Sequence, residues 1–189
     1  LESSFKLLLD NMKSRKQDAF LVPRCDMFSG EEVPKCEERL KFISNFSGSA
    51  GYAIILSNSK LKSAIFSDGR YQLQMKNEVD IKYFDLFNGG FIEASNLLIK
   101  NSHILKKIGI DPWLMTVDQH SYFKDINDKL IFLEKNLIDQ IWLDKPNENQ
   151  SKMFELDINY AGEDKYSKIE RLSKLIKDNK FDFYILFNP

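Results

Sequence analysis

The chain has 189 residues, enough for one domain of ordinary size or for a domain and part of a second one. Hydrophobic residues make up 43% of it and aromatic residues 13%, so it can fill a sizeable core. The formal net charge of -1 excludes the strongly basic composition of a general nucleic-acid or anionic-membrane binder, so we expect neither partner. No apolar run reaches the roughly 18 residues that a membrane-spanning helix needs.

The first segment and the cysteine content both indicate a cytoplasmic protein. Residues 1–17 are amphipathic and charged, unlike a secretory signal. The two cysteines, Cys25 and Cys36, form no CxxC motif, and we interpret them as reduced structural thiols. A disulfide across the short loop between them is the less favoured interpretation.

The first elements alternate between helix and strand. Apolar residues at helical spacing predict an amphipathic helix over residues 3–16. The stretch DAFLVP then predicts a short buried strand that ends at Pro23. After a loop at residues 24–36, the apolar face of residues 37–46 predicts a second helix.

The central elements predict a mixed sheet. YAIIL and KSAIF are two strands close enough along the chain to form a hairpin, and Asp68 is placed to cap a helix through Tyr71 and Met75. Three further strands are predicted at IKYFDLF, IGID and KLIFLE, with helices at FIEASNLLIK and through residues 117–123, the latter capped by Thr116. This alternation predicts an α/β fold, a mixed β-sheet flanked by helices.

The composition changes near Lys145, which predicts a domain boundary. The polar stretch KPNENQSK resembles a linker, and a helix over residues 163–180 and a strand at FDFYILF follow it. With an offset of 164, the apolar residues of this pair fall on those of the first helix and strand. We therefore expect a first domain at 1–145, a linker at 146–162 and the truncated start of a second, similar domain at 163–189.

The stretch NFSGSAG is the first candidate for a site, because small residues beside a strand can hold a phosphate. Phosphate loops follow a strand and precede a helix, whereas this loop follows a helix and precedes a strand. We favour a backbone role: a glycine at the helix C-cap with positive φ, and small residues for close packing. A small nucleotide-binding domain is the weakest of the functions considered.

Metal binding and nucleophilic catalysis find little support in the residue pattern. His103 and His120 are far apart, and neither HExxH nor GxSxG occurs. The polar group SDGRY follows a strand and starts a helix, where functional residues often lie in α/β folds. Asp68 can simply cap the helix, and Arg70 can be solvated or can bind a ligand.

Four segments in order resemble the N-terminal region of Xaa-Pro aminopeptidases (aminopeptidase P), particularly the longer, three-domain form. They are ERLKFISNFSGSAG, SDGRY, GIDPWLMTVDQ and NLIDQIWLDKP, together within residues 37–146. The matching motif residues, to which the resemblance gives mainly structural roles, are Gly48, Ser49, Gly51, Gly69, Asp111, Pro112 and Trp142.

The resemblance implies a creatinase-like N-terminal domain and a catalytic pita-bread domain that lies outside this sequence. In the family, two divalent metal ions, commonly manganese or zinc, activate the water that attacks the peptide bond before proline. None of the family's metal ligands matches a position here, so Asp68 and Asp111 are not metal ligands. The chain alone is expected to bind no cofactor and to be inactive.

The resemblance also implies a role for the domain itself. In the family, N-terminal domains support dimerisation and cover one side of the cleft that takes peptides with proline second. Asp68, Arg70 and Tyr71 are candidates for that cleft or for an interface, and a homodimer is expected for the full-length protein. The alternative is a non-catalytic protein-interaction module with the creatinase-like fold, as in histone-chaperone relatives.

Overall fold

A computed structural model describes residues 2–57, 61–148 and 151–186. It divides into two units, residues 1–148 and 149–189, which are described separately. The helices and strands of the first unit are, in chain order, α1 Glu2–Ser14, β1 Ala19–Pro23, α2 Arg39–Ser44, β2 Tyr52–Leu56, β3 Ser63–Ser67, α3 Gln72–Glu78, β4 Phe84–Asn88, α4 Phe91–Lys100, β5 Ile108–Ile110, α5 Val117–Ser121 and β6 Leu130–Phe132.

The six strands form one mixed sheet in the order β4-β3-β2-β1-β5-β6. β2 is antiparallel to both β1 and β3, which confirms the predicted hairpin. β3 is parallel to β4, and β1 and β6 are both parallel to β5. Five strands therefore have their C-terminal ends on one side of the domain, and β2 begins on that side.

Both faces of the sheet are covered, so its central strands are apolar throughout. In β1, Phe20 and Val22 join the core beneath α1, α2 and α3, whereas Ala19 and Leu21 join the core beneath α4. All five residues of β1 are buried. This two-sided burial explains why the strand shows a continuous apolar run instead of a polar alternation.

Two predicted helices are shorter in the structure. The helix predicted over residues 37–46 begins as a 3-10 turn, continues as α2 and ends at Asn45, whose φ of 64° is left-handed. Asparagine tolerates this conformation better than most residues, so it can end a helix. The helix capped by Thr116 also stops early, at Ser121, and a 3-10 segment follows Phe123.

The second unit contains two helices and no described strand. They are α6 Ile158–Ala161 and α7 Lys165–Asp178, and α7 confirms the predicted helix. The strand predicted at FDFYILF is wrong for residues 181–186, and Phe187 lies outside the described residues. A strand is held by hydrogen bonds to a neighbouring strand, and no described segment pairs with this one.

The ends of α1 and α7 share one backbone conformation at the predicted offset. Lys16 has a φ of 54° and Lys180 a φ of 57°, both left-handed. The next residues close equivalent hydrogen bonds, from the Gln17 N–H to the Met12 carbonyl (2.9 Å) and from the Phe181 N–H to the Ile176 carbonyl (3.0 Å). This is the Schellman pattern of helix termination.

Candidate functional site

The sequence motifs meet on the side of the domain that holds the C-terminal ends of the parallel strands, which are those of β1, β3, β4, β5 and β6. The loop FSGSAG precedes β2 on this side, and SDGRY begins at the last residue of β3, beside that loop. Asp111 and Pro112 follow β5, and NLIDQIWLDKP follows β6. Segments that are widely separated in sequence are therefore assembled on one side of the domain.

The glycines of the FSGSAG loop are required by close packing. A Cβ on Gly48 would lie 2.2 Å from Cζ of the buried Phe46, and one on Gly51 would lie 3.0 Å from the Phe66 carbonyl oxygen. Gly48 and Gly51 do not have positive φ, so the predicted helix-capping glycine is wrong. Asn45 takes the left-handed position instead, and the close-packing half of the interpretation is confirmed.

Hydrogen bonds fix this loop against its neighbours. The Ser67 hydroxyl donates to the Ala50 carbonyl at 2.6 Å, and Arg24 Nη1 donates to the Ser49 carbonyl at 3.0 Å. The Ser47 N–H donates to Glu78 Oε2 at 2.7 Å. A carboxylate therefore receives this N–H, and a negative charge beside the loop disfavours a phosphate there.

The predicted candidates Asp68, Arg70 and Tyr71 lie together at the end of β3. The Asp68 carboxylate accepts from the Arg70 N–H at 3.0 Å, which confirms its capping role. The Tyr71 hydroxyl hydrogen-bonds with the Ser49 hydroxyl, so SDGRY and the glycine loop form one surface. Gly69 has open space around it, and nothing lies within 4 Å of a Cβ built there.

The Arg70 side chain remains accessible in this arrangement. Its Nη2 lies 2.8 Å from Asp68 Oδ2, its Cζ lies 5.1 Å from the centre of the Tyr71 ring, and its side chain is 70% exposed. Hydrogen bonds from the Arg70 side chain and N–H lower the pKa of Asp68, so this carboxylate stays ionised. Because exposed ion pairs contribute little to stability, the pair can exchange for a ligand at small cost.

A partly buried ion-pair network joins two of the sequence motifs and was missed by sequence reasoning. Arg39, only 6% exposed, donates to both carboxylate oxygens of Asp139, at 2.9 and 2.8 Å, and also binds Glu37. Lys145 reaches the same Asp139 at 3.1 Å. Arg39 was the arginine of the first motif, but its partner 100 residues away could not be identified from one sequence.

The remaining motif residues have structural contacts. Asp111 accepts from the Trp113 N–H at 3.0 Å, capping a 3-10 turn that begins at Pro112, and from Asn136 Nδ2 at 2.8 Å. Trp142 stacks on Phe42 with ring centroids 4.6 Å apart. The segment that follows β6 is thus attached to the rest of the domain at both of its ends.

These buried polar groups border an open cleft of about 510 Å³. Arg39, Asp111 and Asn136 are among its lining residues, and Met27 and Trp113 form its apolar part. Met27 is 49% exposed and Trp113 is 70% exposed. The cleft therefore combines a polar floor, whose groups are held by hydrogen bonds and ion pairs, with an exposed apolar rim.

Metal binding and thiol chemistry find no support in the described part of the chain. Within residues 2–57, 61–148 and 151–186, no group of three or more His, Cys, Asp or Glu side chains could hold a metal ion. Burial, followed by the charge of Asp26, raises the pKa of the Cys25 thiol to about 12, so it is a poor nucleophile. His120, the second candidate metal ligand of the sequence, has its Nε2 atom 3.0 Å from Asn127 Oδ1.

Two observations concern the cysteines and the helices of the described ranges. Cys25 and Cys36 are both free, so the alternative of a disulfide between them is not found. None of the described helices has the length and apolar character needed to cross a bilayer.

Curated relatives of the chain are peptidases much longer than the chain itself. It is 35% identical over 187 residues to a probable Xaa-Pro aminopeptidase P of Laccaria bicolor, covering 95% of this chain and 28% of the relative. It is 32% identical over 169 residues to aminopeptidase P2 of Arabidopsis thaliana, covering 85% of this chain and 23% of the relative. The chain thus spans about a quarter of the length of each.

Solved structures with the same fold include one whole enzyme and one isolated domain. An X-prolyl aminopeptidase of Caenorhabditis elegans, described as a cytosolic enzyme with a di-nuclear active site, matches 87% of this chain with 27% of its own, at a TM-score of 0.71 and 29% identity. The N-terminal domain of the cytoplasmic peptidase PepQ of Mycobacterium tuberculosis matches 74% of this chain with 98% of its own, at a TM-score of 0.57 and 16% identity.

The family assignment rests on most of the folded region. The sequence model of the creatinase/prolidase N-terminal domain matches residues 5–141, which include β1 to β6 and all four motifs up to Ile141. The mixed sheet with flanking helices agrees with that match and with the solved structures. The chain belongs to the creatinase/prolidase N-terminal domain family.

Proposed function

We propose that this chain is the non-catalytic N-terminal portion of an Xaa-Pro aminopeptidase, a metallopeptidase that releases the N-terminal residue from peptides with proline second. The 35% identity to the Laccaria bicolor relative, over 95% of the chain, carries this proposal. Because the chain spans only 28% of that relative, the proposal assigns the peptidase activity to the rest of the protein. The chain by itself is inactive in this proposal.

The metal ions belong to the catalytic part of the proposed enzyme. The di-nuclear active site of the Caenorhabditis elegans neighbour supports two metal ions in that part, which we propose to be manganese or zinc. Asp68 and Asp111 are not proposed as ligands, because each carboxylate caps a turn through the N–H two residues on. The cytosolic neighbour also supports a cytoplasmic location, which fractionation of cells producing the whole protein would test.

The decisive experiment assays the whole protein that contains this chain. Peptides with proline second should lose their N-terminal residue when manganese is present, and a chelator should abolish this release. Matched peptides with alanine second and the 189-residue chain alone serve as controls and should give no release. A whole protein that releases no residue from the proline peptide would contradict the proposal and favour the interaction module.

In the whole protein, the surface of Asp68, Arg70 and Tyr71 is proposed to cover one side of the substrate cleft or to contact the second subunit of a homodimer. The Arg70 guanidinium is exposed and lies over the Tyr71 ring, on the side of the domain where the sequence motifs meet, and this position supports the proposed role. Arg70→Gln should raise KM for peptide while thermal unfolding stays unchanged. Lys76→Gln, an exposed change on α3, is the matched control, and an unchanged KM in both would leave Arg70 without a role in the cleft.

The second unit is proposed to begin another domain of the same fold. The matching left-handed residues Lys16 and Lys180, together with the repeated pattern of apolar residues, support this. In the whole protein, the amides of residues 182–186 should then be protected from hydrogen exchange as strand amides are. Exchange at the rate of an unstructured peptide would contradict a second domain.

A further inference from the structure

β4 forms one edge of the sheet and has a neighbouring strand on one side only among the described residues. The Gly89 N–H donates to the Ser67 carbonyl of β3 at 3.0 Å. Because backbone groups alternate sides along a strand, Asp85 and Phe87 also direct theirs towards β3. The backbone groups of Phe84, Leu86 and Asn88 therefore face outward, and of these the Phe84 N–H already donates to the Asp80 carbonyl at 3.3 Å.

This edge lacks the features that usually prevent strand pairing. FDLFN contains neither proline nor lysine, and its one charge, Asp85, lies 3.2 Å from Lys62. Phe87 is 39% exposed and stacks on Phe66 with centroids 5.1 Å apart, so one face of its ring lies against β3. The opposite edge is different, because β6 has only three residues and Lys129 precedes it.

We propose that β4 pairs with β4 of a second copy of this chain, antiparallel about a two-fold axis at Leu86. Leu86 then lies opposite the same residue of the partner, Phe84 opposite Asn88, and Asp85 opposite Phe87. The N–H and C=O groups of Leu86 pair with those of the partner's Leu86, and the Asn88 N–H donates to the partner's Phe84 carbonyl, so the two six-stranded sheets become one.

The sequence of β4 favours a second copy over an unrelated strand. In this register no like charges face each other, because each Asp85 meets a phenylalanine. A two-fold axis uses the same patch twice, so each apolar residue supplied by one copy is also supplied by the other. Ile81, which is 66% exposed just before β4, adds apolar surface beside the pairing.

This inference deepens the proposed function, because it names the surface of the expected homodimer and rests on that part of the proposal. Its test measures association of the 189-residue chain and not peptide release. Peptidase activity and β4 pairing can therefore fail separately.

The experiment is a cysteine scan along β4 combined with sedimentation equilibrium. Leu86→Cys should give a disulfide-linked dimer under mild oxidation, because Cα atoms of directly opposed, hydrogen-bonded residues lie about 5.5 Å apart. Asp85→Cys, whose partner position is Phe87, should cross-link several-fold less. The parent chain, with Cys25 and Cys36 only, controls for the native thiols.

A backbone variant gives the second measurement. Leu86→Pro removes the outward N–H together with a side chain that is partly buried against the core. It should abolish the dimer in sedimentation while the far-ultraviolet circular dichroism remains that of the parent. A parent chain that stays monomeric at all concentrations would overturn the proposal, as would equal cross-linking at positions 85 and 86. If Leu86→Pro unfolds, the parent sedimentation and the cysteine scan decide the matter.

Discussion

At the scale of single residues, packing explains the glycine loop better than any ligand does. The ring of Phe46 lies where a side chain at residue 48 would begin, and Phe46 is itself only 1% exposed. Gly51 is confined by the Phe66 carbonyl on the adjoining strand. The motif therefore depends on a buried aromatic ring outside its glycines.

Gly48→Ala tests this packing directly. The added methyl group must displace a buried ring, so the free energy of unfolding should fall by about 1–3 kcal/mol. Gly69→Ala is the matched control, since open space surrounds that position, and its effect should stay within about 0.5 kcal/mol. Urea denaturation of the three proteins measures both, and equal effects would show that the ring is not the constraint.

Asp139 is the residue whose charge state matters most for the network around Arg39. Burial raises its pKa, but the hydrogen bond and charge of Arg39, followed by those of Lys145, outweigh burial and hold the pKa below its ordinary value. A depressed pKa in the folded state means that the ionised form stabilises the fold above the unfolded pKa of about 3.9. That contribution is lost as the pH falls through the folded pKa.

We therefore expect acid to destabilise the parent chain more steeply than Asp139→Asn. At about pH 7 the variant should be less stable by about 1–3 kcal/mol, because Arg39 loses a charged partner. Between about pH 5 and pH 2 the difference should shrink. Urea titrations at several pH values measure this, and parallel pH curves would contradict a role for the Asp139 charge.

At the scale of elements, the sequence predicted helix caps and strand pairing well wherever the interacting residues are close along the chain. Asp68 and Thr116 cap the turns that were expected of them, and the hairpin of β2 and β3 forms as predicted. Contacts between distant segments were not predictable. The pairing of Asp111 with Asn136 depends on β5 and β6 being neighbours, which periodicity alone does not specify.

At the end of α1, glycine substitutions within one helical turn are expected to change stability in opposite directions. Lys16 has a left-handed φ of 54°, a conformation that glycine adopts without strain, so Lys16→Gly should leave stability unchanged or raise it by up to about 1 kcal/mol. Lys13→Gly lies inside the helix and should lower stability by about 1 kcal/mol. Thermal unfolding compares the two, and losses of equal size would contradict the left-handed assignment.

At the scale of the whole molecule, the two units differ in how much surface they bury. β1 is buried along its entire length, whereas no described residue of 151–186 is buried. Phe183 and Leu186 are 73% and 74% exposed. The second domain that repeats the first stays a prediction, whereas the strand predicted at residues 181–186 is wrong, because periodicity indicates an apolar face without showing what pairs with it.

Limited proteolysis should therefore separate the two units. In the 189-residue chain, cleavage should begin within residues 151–186 and leave a resistant fragment close to residues 1–148. Mass spectrometry of the time course identifies the cut sites. First cuts inside the β1–β2 region would contradict this order, and so would equal resistance of both units.

The identical terminations of α1 and α7 have a consequence for how such a chain reaches its native state. The segment that follows α7 has the same spacing of apolar residues and the same left-handed lysine as the segment that follows α1. We therefore expect the two segments to compete, during folding, for the single position between β2 and β5. When the later segment occupies that position first, the sheet closes around the wrong piece of chain, and the mistake must be undone before folding can finish. Synthesis from the N-terminus favours the correct outcome, because residues 2–23 emerge before the segment that resembles them.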